Sequence, residues 1–243
     1  MRYNAETGML LLIDKPLSWT SFDVVNKIRY AFLKNLHRFV PVEEGQKRRI
    51  KVGHAGTLDP LATGLLIVCV GKETKQIDQY MATEKEYTGS IYLGATTPSY
   101  DRETETDRQF DMSGITSDQI HKTAAQFVGE QQQIPPVYSA IKQDGKKMYE
   151  MARAGKEVEM QARSIHIFEF EITQIEMPLV YFRVVCSKGT YIRSLTYDFG
   201  KALKGGAYLH SLCRTRSGAF LLKDAISVDA CVEWINGEEI DKD

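Results

Sequence analysis

Apolar positions along this chain follow two periods, and the change between them marks its elements. "GMLLLIDKP" (8–16) is a near-continuous apolar run stopped by Pro16 and predicts a buried strand. "TSFDVVNKIRYAFLKNL" (20–36) sets Val25, Ile28, Phe32 and Leu36 at helical spacing. Thr20 and Asp23 fit a capping box at its start, with Asp in place of the usual Glu. "LLIVCVG" (65–71) predicts a second buried strand, and "YTGSIYLG" (87–94) alternates with Ile91 and Leu93 on one side. "TSDQIHKTAAQFVG" (116–129) predicts a helix capped by Thr116 or Ser117, with Gly129 just past its end. In "HIFEFEIT" the residues Phe168, Phe170 and Ile172 share a face; in "VYFRVVC" so do Val180, Phe182, Val184 and Cys186. Pro178 lies in the short connection between these two runs, so they predict a hairpin.

"TYIRSLTYDFGKAL" (190–203) reads as a strand end entering a helix, and "SVDACVEWING" as a short helix. "HRFVPVEEGQKRRIK" and the acidic "PSYDRETETDRQFD" read as exposed loops. "QQQIPPVYSAIKQDGKKMYEMARAGKEV" mixes Pro, Tyr and Lys ahead of a short helical patch. No repeat or low-complexity tract interrupts the pattern. The expected fold is α+β, a mixed, mostly antiparallel central sheet with flanking helices.

Composition narrows the class. The 243 residues are 43% hydrophobic and 26% charged, with a net charge of −1, enough apolar material for one large domain or two small ones. Near-neutral charge argues against a bulk nucleic-acid coater, although a local basic face would not show in the total. Cys69, Cys186, Cys213 and Cys231 are scattered without a C-x-x-C pair, as expected of reduced thiols in a cytoplasmic protein. No apolar run approaches the about 18 residues of a membrane span, and "MLLLI" is too short for a signal peptide.

The densest chemistry lies in "GHAGTLDPLATG" (53–64), where three glycines surround a single carboxylate, Asp59, set directly before Pro60. The loop matches neither phosphate-binding glycine pattern. Two readings stand side by side: Gly53, Gly56 and Gly64 are turn formers, or the loop presents Asp59 as a covalent nucleophile to a bulky substrate. The histidines (His37, His54, His121, His166, His210) lack metal-ligand spacing, so no metal is expected. "KRRIK" (47–51) and "KQDGKK" (142–147), the latter near Tyr138 and Tyr149, are solvated loops or phosphate contacts. In "CSKGTYIR" (186–193), Lys188, Tyr191 and Arg193 could meet an anion, though structural arginines are as common.

Taken together, "GMLLLIDKPLSWTSFDVV", "KVGHAGTLDPLATGLLIVCVGKETK", "EKEYTGSIYLG", "QIPPVYSAIKQDGKKMYEMARAG" and "CSKGTYIRSLTYDFG" resemble, in order, the motifs of the bacterial TruB-type tRNA pseudouridine synthases. The resemblance runs from about residue 8 to about residue 220. It implies isomerisation of one uridine in the TΨC loop of tRNA (position 55 of the tRNA), with no cofactor and no metal. It further implies that Asp59 is the catalytic aspartate, attacking C6 of the base or C1′ of the sugar. Tyr87 matches the tyrosine that stacks on the flipped base, and Arg193 the arginine paired with the catalytic carboxylate. Asp101 falls where the family has an acid near that arginine. His54 matches the histidine that fills the place of the flipped base, and Tyr191 and Leu212 match residues lining the uracil pocket. Lys15 and Pro16 form the N-terminal "KP" motif, structural and close to the RNA.

On this resemblance, residues 1–225 are the catalytic domain, with an RNA-clamping insertion at about 131–163, and 226–243 are a short tail. The PUA domain that continues many family members is expected to be absent. Lys47, Arg48, Arg49 and Lys51 lie in a longer connection than the family's usual one and are expected to add phosphate contacts. The partner is the T-arm stem-loop of tRNA, not a membrane, and the protein is expected to be a monomer. Two other classes stay open. One is an RNA-binding or RNA-folding module on the same scaffold without turnover, which intact Asp59, Tyr87 and Arg193 disfavour. The other is a different aspartate-nucleophile enzyme, for which a second carboxylate or metal spacing is missing.

Overall fold

The computed structural model describes residues 7–39, 49–137, 142–143, 146–147 and 160–237. In chain order the strands are β1 (Met9–Lys15), β2 (Val52–His54), β3 (Ala62–Val70), β4 (Lys85–Leu93), β5 (Ala95–Thr96), β6 (Arg108–Gln109) and β7 (Gly129–Gln133). There follow β8 (Lys142–Gln143), β9 (Lys146–Lys147), β10 (Arg163–Glu176), β11 (Leu179–Cys186), β12 (Ala207–Ser217), β13 (Phe220–Leu221) and β14 (Ile226–Ser227). The helices are α1 (Ser21–Lys34), α2 (Ile77–Met81), α3 (Ser117–Gln126), α4 (Ile192–Ala202) and α5 (Val228–Asn236). The chain divides into two compact units, 1–85 with 213–243, and 86–212.

In the first unit the strand order is β14-β1-β3 and then the end of β12, with β2 on β3 and β13 on β12. β1 runs antiparallel to β3 and parallel to β14, so the sheet is mixed and mostly antiparallel, as its sequence predicts. One face of β3 (Leu66, Val68, Val70) packs with β1 against Val24, Ile28 and Phe32 of α1 and Val228, Cys231 and Ile235 of α5. Its other face, Ile67 and Cys69, packs with Ala55 against Ile77, Tyr80 and Phe220. Burial on both faces is the reason this strand reads as an unbroken apolar run rather than an alternation. The Thr20–Asp23 capping box forms at the head of α1. Residues 226–237 fold into this unit through β14 and α5, which ends on Gly237 in the left-handed conformation.

In the second unit the order is β12-β4-β11-β10-β7. β10 and β11 form the expected antiparallel hairpin around Pro178. Phe127, Phe170, Phe182 and Phe199 build its aromatic core at centroid distances of 5.6–6.4 Å.

Four local expectations need correction. Phe168 does not share a face with Phe170 and Ile172, because a register shift between Ile167 and Glu169 turns it out to 44% exposure. Helix α3 stops at Gln126, and Gly129 begins β7 instead of capping the helix. The acidic segment 98–111 is not all surface loop: Ser99 and Asp101 are buried, and Arg108–Gln109 pairs with Ala95–Thr96. β11 ends at Cys186, so 187–191 is a turn and not a strand end leading into α4.

Candidate active site

Residues 55–61 connect β2 to β3 and carry Asp59. Several backbone groups around Asp59 are tied down. Ser21 Oγ accepts from the Leu58 amide at 2.8 Å and donates to the Leu58 carbonyl at 3.2 Å. The Ser18 amide donates to the Pro60 carbonyl at 2.8 Å, and the Ala62 amide to the Asp59 carbonyl at 3.0 Å. Arg214, 1% exposed, donates Nε to Leu65 O at 2.7 Å and Nη2 to Gly56 O at 3.0 Å. Asp59 itself is half-buried on this fixed backbone.

Two glycines make the arrangement possible. Gly56 (φ +103) and Gly64 (φ +97) occupy the left-handed region. A Cβ on Gly64 would stand 2.5 Å from the Arg214 carbonyl oxygen, so β12 can lie against β3 there only because the side chain is a hydrogen.

Lys15 is fully buried, and its ammonium donates to Trp19 O at 2.6 Å, Pro16 O at 2.9 Å and Pro60 O at 3.5 Å. Burial pulls its pKa down to about 8, against the nearby Asp59 carboxylate, which holds it up. The "KP" lysine thus braces the start of α1 and the Asp59 loop from inside the unit. His54 ends β2 half-buried; burial and the Arg214 cation lower its pKa, favouring the neutral imidazole.

In the second unit Arg193 lies in the first turn of α4, 4% exposed. Its Nε stands 3.7 Å from Asp101 Oδ2, and its Nη1 donates to Ser99 O at 3.2 Å. Asp101 Oδ1 accepts from Ser99 Oγ at 2.6 Å and from the Glu103 amide at 2.9 Å. The acid and the arginine that the motifs single out therefore stand together. Lys188 is exposed on the turn before α4, unlike buried Arg193.

Tyr191 is the N-cap residue of α4, and its backbone is gripped by one side chain. Gln133 Nε2 donates to Tyr191 O at 3.0 Å, and Gln133 Oε1 accepts from Tyr191 N at 2.8 Å. The Arg163 guanidinium lies 5.0 Å from the Tyr191 ring centroid. Gln133 and Arg163 are register partners of β7 and β10. Tyr87 on β4 and Leu212 on β12 are both 9% exposed.

Arg214, Ser21, Gln133 and Arg163 escaped the sequence reading. Only Ser21 carried a local hint, next to the helix cap. Lys47, Arg48, Tyr138 and Tyr149, with most of the 131–163 insertion, lie outside the described residues.

The model of the TruB family pseudouridylate synthase N-terminal domain matches residues 44–192. The chain belongs to the TruB family of pseudouridylate synthases. As a member of it, the chain is an enzyme of the uridine-to-pseudouridine class. Among its relatives is the tRNA pseudouridine synthase B of Flavobacterium johnsoniae, 53% identical over 91% of this chain and 93% of that protein. That of Phocaeicola vulgatus is 48% identical over 98% of each. Among solved structures, Cbf5 in a Cbf5–Nop10–Gar1 complex matches with a TM-score of 0.66 and 31% identity, over 95% of this chain and 56% of that one. An archaeal box H/ACA Nop10–Cbf5 complex matches with a TM-score of 0.65 and 26% identity, over 96% of this chain and 55% of that one. Among the described residues no helix is long and apolar enough to cross a membrane.

Proposed function

We propose that this TruB-family chain converts one uridine in the T-arm stem-loop of tRNA to pseudouridine, with Asp59 as nucleophile. The C1′–N1 bond breaks, C5 bonds to C1′, the C5 proton leaves and N1 takes one up. Nothing is oxidised or reduced, and no cofactor is called for. Asp59 holds the pieces together by attack at C6 or C1′ while the uracil turns. Tyr87 stacks on the flipped base and takes the C5 proton, and Arg193, held by Asp101 and Ser99, is the cation that serves the reacting carboxylate. His54, Tyr191 and Leu212 shape the place of the base. The insertion at 131–163 clamps the RNA, and the protein works as a cytoplasmic monomer.

The observation that carries this reading is the Asp59 loop. A half-buried carboxylate is carried on a backbone whose residues 56, 58 and 60 are each hydrogen-bonded to residues of α1, its approach or β12. Such preorganisation suits a nucleophile that must meet one atom of a flipped nucleotide. The test is tritium release from a stem-loop transcript carrying C5-tritiated uridine. Wild type is expected to release it and Asp59→Ala to release none. Tight binding without release by wild type would favour the RNA-binding module instead.

A further inference from the structure

Beside the Asp59 loop, the first unit carries an open cleft lined by Ser18, Trp19, Asp23, Asn26, Lys27 and Tyr30. Two of its lining residues, Trp19 and Tyr30, are aromatic, and exposed apolar side chains adjoin it in sequence. Phe22 is 60% and Tyr30 71% exposed, and Leu17 adjoins in sequence at 50%. Phe22 and Tyr30 make no ring contact or hydrogen bond with other described residues, and Lys27 makes no ion pair with them.

The polar groups of the cleft are unevenly committed. Asp23 is consumed by the capping box, accepting from Thr20 N at 2.8 Å and Thr20 Oγ1 at 2.6 Å. Asn26 Oδ1 accepts from Arg29 Nη2 at 2.6 Å, which leaves the Asn26 amide N–H groups to donate. Lys27 and Arg29 both lack a carboxylate partner among the described residues. Aromatic faces, amide donors and the Lys27 cation, with Asp23 turned to the helix cap, together match a base and its phosphate, and match an apolar peptide poorly.

Position adds the second argument. The Ser18 amide is bonded to Pro60 O at 2.8 Å, and Lys15 binds Trp19 O at 2.6 Å. The cleft wall is thus fastened to the residue that follows Asp59.

We propose that this cleft is a subsite for a single-stranded nucleotide flanking the target uridine, its base stacked on Tyr30 and Trp19 and its phosphate on Lys27. The inference rests on the reading of Asp59 as nucleophile toward a flipped uridine in RNA. It assigns the start of α1 a share of substrate affinity that the catalytic motifs do not.

The chain has two tryptophans, Trp19 at the cleft and Trp234, which packs in the core of the first unit, so fluorescence can report on the site. The probe is the T-arm stem-loop RNA, titrated into the full chain, with tritium release measured on the same RNA. Expected results are quenching of emission by RNA that is lost in Trp19→Phe, and a Kd raised about tenfold in Tyr30→Ala. Lys27→Ala is expected to flatten the plot of log affinity against log salt by about 0.7, one phosphate on single-stranded RNA. Tyr30 is exposed, so Tyr30→Ala is expected to fold. A Kd and salt slope unmoved in Tyr30→Ala and Lys27→Ala, with wild type releasing tritium, would overturn the subsite and leave the catalytic reading standing; that is also the result for a surface that binds a protein instead. No tritium release by wild type would overturn the catalytic reading, and the subsite with it.

Discussion

Arg214 donates Nη2 to the carbonyl oxygen of Gly56 at 3.0 Å, three residues ahead of Asp59, while its Nε serves Leu65 at 2.7 Å. One buried guanidinium therefore ties the start of the connection that carries Asp59 to β3, the strand that follows it. Lysine has no planar fork and reaches only one of the two carbonyls. Arg214→Lys is expected to destabilise the protein by about 1–3 kcal/mol, the cost of leaving one buried acceptor unpaired, and to lower kcat for tritium release. Urea denaturation beside a rate measurement checks it. A variant as stable and as fast as wild type would show that the loop holds its shape without the clamp.

Gly64 makes a second, purely steric prediction. Its φ of +97 strains any L residue, and a Cβ would stand 2.8 Å from the Arg214 amide nitrogen as well as close to its carbonyl. Gly64→Ala is expected to cost about 2–4 kcal/mol and to spread β12 from β3. Gly114, where a Cβ meets nothing within 4 Å, is the control, and Gly114→Ala is expected to be neutral within about 0.5 kcal/mol. Thermal melts of the two proteins decide it.

Local features of this chain were legible in the sequence, and features made by distant strands were not. The Thr20–Asp23 capping box needs only residues three apart, and it forms as read. Val180, Phe182, Val184 and Cys186 alternate without a bulge and share the buried face. Phe168 follows the same alternation on paper, yet a bulge that no local signal announces turns it outward. β7, "GEQQQ", has no apolar pattern because as an edge strand its hydrogen bonds to β10 define it. Likewise Asp59 stood out as a lone carboxylate among glycines and Lys15 as part of the "KP" motif, but nothing local marks Arg214, whose carbonyl partner Gly56 lies 158 positions away.

Lys15 predicts a stability that rises with pH. Its folded pKa, lowered by burial to about 8, lies below the ordinary lysine value of 10.5, so between these values the unfolded chain binds more protons than the folded one. The cost of the buried ammonium is present in full below about pH 8 and is relieved as pH climbs toward 10.5. Lys15→Met removes the titration. The stability of wild type relative to Lys15→Met is therefore expected to increase by about 1–3 kcal/mol from pH 7 to pH 10. Urea midpoints for both proteins across that range check the sign, and a difference that is flat in pH rules the depressed ammonium out.

Gln133 gives the sharpest test of the second unit. Its side-chain amide pairs with both backbone groups of Tyr191 as a neighbouring strand would, at 3.0 and 2.8 Å. Tyr191 in turn caps the helix whose second residue is Arg193. Gln133→Leu keeps the volume of the side chain and removes both hydrogen bonds, which is expected to cost about 1–3 kcal/mol. Gln133→Glu keeps both hydrogen bonds only as the neutral acid, so a smaller stability loss than in Gln133→Leu is expected at low pH, and no such advantage near neutrality, where a buried carboxylate would face Tyr191 O. If Gln133 only stabilises the fold, kcat at saturating RNA recovers once each variant is assayed well below its melting temperature. If it positions Tyr191 and the start of α4, kcat/KM stays low in Gln133→Leu at every temperature and partly returns in Gln133→Glu as the pH is lowered and the new carboxyl is protonated. The register partner Arg163, whose guanidinium stands 5.0 Å from the Tyr191 ring, supplies the internal check. Arg163→Ala is expected to lower kcat/KM without the stability loss of Gln133→Leu, because its contact is made to the ring and not to buried backbone.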